Sequence, residues 1–137
     1  IVNNTICDNN VGVEVRNPFE ANELARLTNN VLCNNGVGIK STEEGSATVS
    51  YNDFWANNVP LDILGLLGQG NLGGDPRFVD AENGDYRLLP SSPLIDGGTN
   101  GGAPAIDFDG DPRPIDGDRD GVAIVDIGAD EFIPPAF

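Results

Sequence analysis

Three segments in the N-terminal half of the chain repeat one short pattern. They read NNTICDNNVGV from Asn3, NNVLCNNGVGI from Asn29 and YNDFWANNVPL from Tyr51, and they begin 26 and then 22 residues apart. Aligned, they place Asn over Asn twice and apolar residues over one another three times. The aligned sets are Asn4, Asn30 and Asn52; Ile6, Leu32 and Phe54; Asn9, Asn35 and Asn57; Val11, Val37 and Val59; and Val13, Ile39 and Leu61.

The spacing within each unit indicates short β-strands, because the apolar residues do not recur every three and four positions as in a helix. A period of about 22 residues with short strands predicts a parallel β-solenoid, whose equivalent residues stack about 4.8 Å apart. Asn suits the stacked turns, since it tolerates left-handed backbone and its amide both donates and accepts hydrogen bonds. The longer first unit predicts a side loop at 16–26, where Asn17 caps a short helical turn that begins at Pro18.

Cys7 and Cys33 occupy the same position of the repeat, where the third unit has Trp55. Neighbouring strands hold such residues within the Cα range of a disulfide, but parallel Cβ vectors would not face one another. We therefore expect two buried or half-buried thiols rather than a bridge.

The C-terminal half has a different pattern, with short apolar pieces between Gly-, Asp- and Pro-rich turns. The runs NLGGDPRFVD, NGDYRLLPSSPLIDGGT, AIDFDGDPRP and VDIGADEF follow one another in this order. Together with the repeats, they resemble the C-terminal region of right-handed parallel β-helix repeat proteins of the choice-of-anchor type, which are secreted or exposed at the cell surface. The resemblance implies an all-β fold: about three right-handed β-helix coils in 1–64, and an irregular region in 65–137 that continues or caps them. Some relatives degrade polysaccharides, and many have no known activity.

The run DFDGDPRPIDGDRDG carries alternating aspartates, which predict a calcium site. Calcium takes six to eight oxygen ligands, and alternating Asp on a tight loop directs several carboxylates at one ion. The predicted ligands are Asp116, Asp118, Asp120 and the backbone carbonyl of Val122, with Asp126 or another carboxylate closing the site. Asp107, Asp109 and Asp111 form a second site or share ligands with the first.

The stretch from Asp116 to Gly121 matches the first half of an EF-hand loop, and then the match ends. Ile127 stands where that loop has its closing Glu, and the flanks Pro-Arg-Pro and VAIVDI do not indicate helices. The site is therefore expected within a β fold. The alternative is a solvated acidic loop. Arg113 lies among these acids, and we expect it to pair with buried carboxylates rather than to act in catalysis.

The net charge of the chain makes two classes of binding partner, nucleic acid and anionic lipid, unfavourable. With 22 acidic and 7 basic residues, the net charge of −15 repels nucleic acid and anionic lipid. No apolar run reaches the roughly 20 residues that span a bilayer, so membrane insertion is not expected. The chain has no His, and nothing singles out a catalytic pair among its many carboxylates.

These observations predict a non-catalytic extracellular or cell-surface module, stabilised by calcium, in a sheath, filament or adhesin. Copies could stack head to tail, since an open first coil exposes unpaired strand edges. The alternative function is carbohydrate binding, with Trp55 and Tyr51 as stacking rings, or polysaccharide processing by active coils that lie outside this chain.

Overall fold

The computed structural model of the chain describes residues 1–16, 24–41, 47–63 and 66–136, and this part is all-β. The strands are β1 (Thr5–Cys7), β2 (Val11–Val15), β3 (Ala25–Thr28), β4 (Val31–Cys33), β5 (Val37–Ser41), β6 (Ala47–Ser50), β7 (Asp53–Trp55), β8 (Val59–Asp62), β9 (Leu66–Leu67), β10 (Phe78–Asp80) and β11 (Asp85–Leu88). One 3-10 turn, Ala81–Asn83, joins the last two strands. Among these residues, no helix has the length and apolar character needed to cross a membrane. Most of the predicted side loop, residues 17–23, lies outside the described residues.

The first nine strands form three parallel three-stranded sheets. Sheet 1 has the order β1-β4-β7, sheet 2 the order β2-β5-β8, and sheet 3 the order β3-β6-β9. The chain visits the sheets in rotation, so each pass adds one strand to each sheet. The register pairs Ile6 with Leu32 and Leu32 with Phe54 in sheet 1, and Val13 with Ile39 and Ile39 with Leu61 in sheet 2. The alignment of the sequence repeats is therefore confirmed residue by residue.

The space enclosed by the three sheets holds one apolar core. Its buried members are Val13, Val15, Leu27, Leu32, Ile39, Ala47 and Val49. Strands β1 to β8 contribute inward-facing residues, and the half-buried Ile6, Phe54 and Leu61 pack against the core in the outer passes. Because strands alternate their side chains between two faces, three-residue strands such as β4 supply only one core residue each. Burial is therefore gained by stacking passes.

Every pass turns at two corners that flank sheet 1, and each corner has one left-handed residue. Asn3, Asn29 and Tyr51 precede the strands of sheet 1, and Asp8, Asn34 and Ala56 follow them. All six have φ between 53° and 64°. Asn and Asp tolerate this conformation better than other residues that carry a Cβ. An Asn follows each of these corner residues directly.

Those following residues form two hydrogen-bonded ladders. The first Asn ladder consists of Asn4, Asn30, Asn52 and Asn71, and the second of Asn9, Asn35 and Asn57. In both, every side-chain oxygen after the first Asn accepts hydrogen bonds from the backbone N–H and the Nδ2 of the Asn one pass earlier. Asn30 and Asn52 are fully buried, so these bonds satisfy main-chain groups that water cannot reach. Asn71, which lies in the Gly-rich connection and ends the first Asn ladder, was not part of the sequence alignment.

Cys7 and Cys33 are joined by a disulfide across β1 and β4, so the expectation of free thiols was wrong. Their Cα atoms are 4.5 Å apart, within the range that a disulfide spans. Rotation about each Cα–Cβ bond brings the two sulfurs together, although the strands run in parallel. Both residues lie on the outer face of sheet 1.

The C-terminal segment, residues 73–136, packs on that outer face instead of continuing the sheets. Parallel pairing ends with one bridge between Asp53 and Leu72, and the described residues beyond add no strand to the three sheets. A second apolar cluster joins the buried outward-facing Val31 and Cys33 to residues of this segment, namely Leu88, Leu94 and Ile127. Val31 and the two cysteines give the outer face of sheet 1 an apolar patch, and the segment buries it. β10 and β11 form a separate antiparallel hairpin over it.

Removal of one rung should reveal how far the ladders stabilise the fold. We expect Asn52→Ala to lower the free energy of unfolding by about 2–4 kcal/mol, because it leaves buried main-chain and side-chain groups without partners. Its side chain bonds Asn30 on one side and the carbonyls of Leu27 and Ser50 on the other. Urea denaturation measures the loss. Asn58→Ala, at an exposed corner position, is the control. Equal stability of the two variants would contradict a stabilising role for the ladder.

Candidate functional site

Three aspartates meet at the surface of the C-terminal segment. Asp96, Asp116 and Asp118 each offer one carboxylate oxygen, and these oxygens lie within 4.8 Å of one another. We call them the Asp96 cluster. Asp96 and Asp116 are half-buried and Asp118 is exposed, so a cation could enter from solvent. Three oxygens at this separation are a partial ligand set for a divalent cation, which water or backbone carbonyls would complete.

Main-chain N–H groups hold the cluster in place. The backbone N–H of Asp118 donates to Asp96 Oδ2 at 2.9 Å, and that of Ile124 donates to Asp96 Oδ1 at 3.0 Å. The N–H of Asp120 donates to Asp116 Oδ1 at 3.1 Å and to Asp118 Oδ1 at 3.0 Å. A carboxylate has about four acceptor sites. Each oxygen can therefore accept such a bond and still face a cation.

Only part of the predicted ligand set comes together. Asp116 and Asp118 join the cluster, whereas Asp120 turns its Oδ1 to the N–H of Val122 at 2.8 Å, and Val122 itself is 56% exposed. Asp96 was missing from the prediction. It stands 20 residues before Asp116 in a turn of the LIDGG run, and no spacing rule connects it to the loop. Its positive φ of 52° marks a special turn only once the structure is known.

Asp126, the predicted closing ligand, instead belongs to a buried hydrogen-bond network of carboxylates and backbone N–H groups. Its Oδ1 and Oδ2 accept from the N–H groups of Asp96 and Phe132, each at 2.7 Å. The N–H of Asp126 donates to Glu131 Oε2 at 3.1 Å, and the N–H of Glu131 donates to Asp107 Oδ2 at 2.9 Å. Burial raises the pKa of Asp126 to about 8, against the opposing effect of the two N–H donors.

In the predicted second site, Asp107 likewise accepts hydrogen bonds from backbone N–H groups. Asp107 is buried, and its Oδ1 accepts from the N–H groups of Asp109 and Asp111 at 2.9 and 2.8 Å. Asp109 is exposed and lines a cavity of 570 Å³ with Asp130. Burial raises the pKa of Asp130 to about 6. The structure does not place Asp107, Asp109 and Asp111 around a common point.

Arg113 has the structural role that the sequence predicted. Its Nε lies 3.3 Å from Glu131 Oε2, and both side chains are buried. Its Nη2 donates to the carbonyl of Gly128 at 3.0 Å. The expected ion pair with a buried carboxylate is thus confirmed, with Glu131 as the partner.

The two aromatic candidates lie at opposite ends of β7. Tyr51 precedes the strand, and its hydroxyl accepts a hydrogen bond from Gln69 Nε2 at 2.7 Å. Trp55 ends the strand, is 39% exposed and lines a separate cavity of 550 Å³. The structure therefore does not combine them into one stacking platform.

A buried carboxylate on sheet 1 was not singled out by the sequence. Asp53 in β7 is fully buried; its Oδ1 accepts from the N–H of Gly74 at 3.1 Å, and its Oδ2 has no hydrogen-bond partner among the described residues. Burial raises the pKa of Asp53 to about 7, with Asp75 adding to the effect and the Gly74 N–H opposing it. The equivalent positions in the other passes hold Thr5 and Val31.

This pKa predicts that the free energy of unfolding depends on pH through Asp53. The folded-state pKa of about 7 lies above the usual 3.8, so folding retains a proton that the unfolded chain releases. The stabilising contribution of this retained proton is complete below about pH 4 and is lost as the pH rises through about 7. The free energy of unfolding of Asp53→Asn minus that of the wild type should therefore be about 2–3 kcal/mol larger at pH 8 than at pH 5. Urea denaturation at both pH values, with Asp62→Asn as control, measures this. A difference that does not change with pH would refute it.

Comparison with known protein families, with curated proteins and with solved structures finds no match. The resemblance to β-helix repeat proteins therefore rests on the sequence motifs named above.

Proposed function

We propose that the chain is a non-catalytic extracellular structural module, a short right-handed parallel β-helix whose lateral C-terminal segment is fastened by calcium. The observation that carries the proposal is the convergence of Asp96, Asp116 and Asp118. The carboxylates of the cluster come from the turn of Asp96 and the loop of Asp116 and Asp118, and among the described residues no strand pairing connects these two stretches. A cation there would neutralise mutual repulsion and cross-link the stretches.

The handedness is inferred from general chain geometry. Sheets 1, 2 and 3 contain parallel neighbours that are connected by a crossover through the other two sheets. Crossovers between parallel strands of one sheet are right-handed in nearly all proteins, because the strand twist favours that direction. The sequence motifs of the C-terminal half support the same β-helix assignment.

The extracellular setting is supported by the disulfide between Cys7 and Cys33. Such bonds persist in oxidising compartments and are rare in reducing ones. Millimolar calcium outside cells would fill a site of modest affinity, whereas an exposed cluster such as this one would be largely empty at cytosolic calcium levels.

The proposed structural role is supported by how the chain uses its inward-facing acids. Asp126, Glu131 and Asp107 have both carboxylate oxygens bonded to backbone N–H groups. Carboxylates held in this way stabilise a loop, but they are poorly disposed to exchange protons with a substrate. Calcium is favoured over magnesium because the cluster offers flexible carboxylates rather than a rigid octahedral site.

Thermal unfolding with and without calcium tests the metal site. At about 10 mM calcium, a site with a Kd of about 0.1–1 mM stabilises the folded state by about 1–3 kcal/mol over EDTA. Asp118→Asn should abolish most of this gain, because it removes a charged ligand but keeps Oδ1 as acceptor for the Asp120 N–H.

Two control variants separate the observed cluster from the sequence-predicted loop. Asp120→Asn, outside the cluster, and Asp62→Asn in β8, with the same change in net charge, should both keep the calcium response. A response lost equally in all three variants would indicate non-specific screening. The absence of any response in the wild-type chain would refute the calcium site.

A sheath, filament or adhesin component must also associate, and the proposal includes head-to-tail stacking of copies. Among the described residues, β7, β8 and β9 are the last strands of their sheets, and Val59 of β8 is 43% exposed. Unpaired strand edges bind further strands, and a Lys on an edge opposes this. We expect the mass measured by sedimentation to rise with concentration and Val59→Lys to suppress the rise. A constant monomer mass would refute stacking and leave the calcium result unaffected.

A further inference from the structure

A groove runs across the outer face of sheet 1, next to the β10–β11 hairpin. Its volume is 550 Å³, and its floor is formed by Cys7, Cys33 and Trp55, one residue from each pass. We call it the Trp55 groove. Neighbouring passes are about 4.8 Å apart, so the floor is about 10 Å long, which matches two pyranose rings. The disulfide between Cys7 and Cys33 fixes two of the three floor positions.

Aromatic rings are unusually well placed in this groove. Trp55, the only tryptophan of the chain, is 39% exposed where the other passes have the compact disulfide. Tyr86 of β11 also lines the groove, and its ring meets that of Phe78 edge to face at 5.2 Å. A large ring exposed in a concave surface is a binding feature rather than a packing one, because indole and phenol rings combine an apolar face with a polar edge.

Polar groups at the rim are fixed by bonds to their neighbours. Asp8 accepts from the Tyr86 hydroxyl at 3.4 Å and from Asn34 Nδ2. Arg77, on the hairpin side, donates from Nη1 to the carbonyl of Ser91 at 2.7 Å. The rim therefore presents carboxylate, amide, hydroxyl and guanidinium groups in set positions, which are the groups that bond sugar hydroxyls.

The charge of the rim selects among glycans. Asp8, Asp75 and Glu82 line the groove against the single cation Arg77, and the whole chain carries −15. Uronic acids and sulfated sugars would be repelled. Neutral sugars and sugars with free amino groups would not be repelled in this way.

We propose that the Trp55 groove binds a short stretch of a glycan chain that carries no acidic groups. One ring stacks on the indole of Trp55 and the next lies toward Tyr86, while the fixed rim groups bond hydroxyls. The groove is distinct from the Asp96 cluster and does not depend on calcium there. In this groove Tyr86 takes the place of Tyr51, which lies at the other end of β7, as the second aromatic residue beside Trp55.

The single tryptophan makes binding directly observable. Titration of the folded chain with oligosaccharides of glucose, of glucosamine and of galacturonic acid should change Trp55 fluorescence in a saturable way for the first or second of these, and not for the third. Because Trp55→Ala has no tryptophan, its binding is measured by calorimetry. The substitution should weaken binding at least about tenfold, the loss typical of a central aromatic contact.

Controls distinguish the groove from a general surface effect. Tyr51→Ala, outside the groove, should bind as tightly as wild type, and Arg77→Ala should bind more weakly with unchanged thermal unfolding. Binding of the acidic oligosaccharide alone, no saturable binding of any of the three, or equal affinity in Trp55→Ala and wild type would each overturn the proposal.

Discussion

The hydrogen bond from a backbone N–H to an Asn side-chain oxygen one pass later is the interaction on which the coiled half depends. The strands of sheet 1 are only three residues long, and each is followed by a corner where strand pairing fails. The two Asn ladders supply acceptors at these corners, so main-chain pairing continues around the turn. Without them, buried N–H groups would be left unpaired at every pass.

The C-terminal segment solves the same problem with carboxylates. It is irregular and carries few strand pairs, yet it packs against Val31 and Cys33 and buries much of its backbone. Asp126, Glu131 and Asp107 accept the N–H groups that a sheet would otherwise satisfy. Amides suffice in the coils because identical residues stack and each amide both donates and accepts. Carboxylates, which only accept, serve where the donors come from unrelated positions.

This contrast explains what the sequence could and could not reveal. Ladder residues such as Asn30 and core residues such as Leu32 were predictable, because stacking forces the same residue type to recur at a fixed period. Asp96 and Asp53 were not, since their partners are set by how an aperiodic segment folds over sheet 1. The disulfide was missed for a local reason: spacing gave the Cα separation, but the side-chain rotation that joins the sulfurs leaves no trace in the sequence. The lateral placement of the segment depended on the outward side of β4, and three residues are too few to identify a buried outer face.

The high negative charge is then a consequence of the architecture rather than a matter of solubility alone. Acceptors are needed inside an irregular segment, and Asp and Glu provide two oxygens each, but burial raises the pKa of Asp53 and Asp126 toward or above neutrality. Such groups stay in place either by holding a proton or, in Glu131, by pairing with Arg113. At the Asp96 cluster three carboxylates converge, and backbone N–H groups of the described residues donate to their oxygens. The calcium ion proposed for this cluster would offset the mutual repulsion of the three carboxylates.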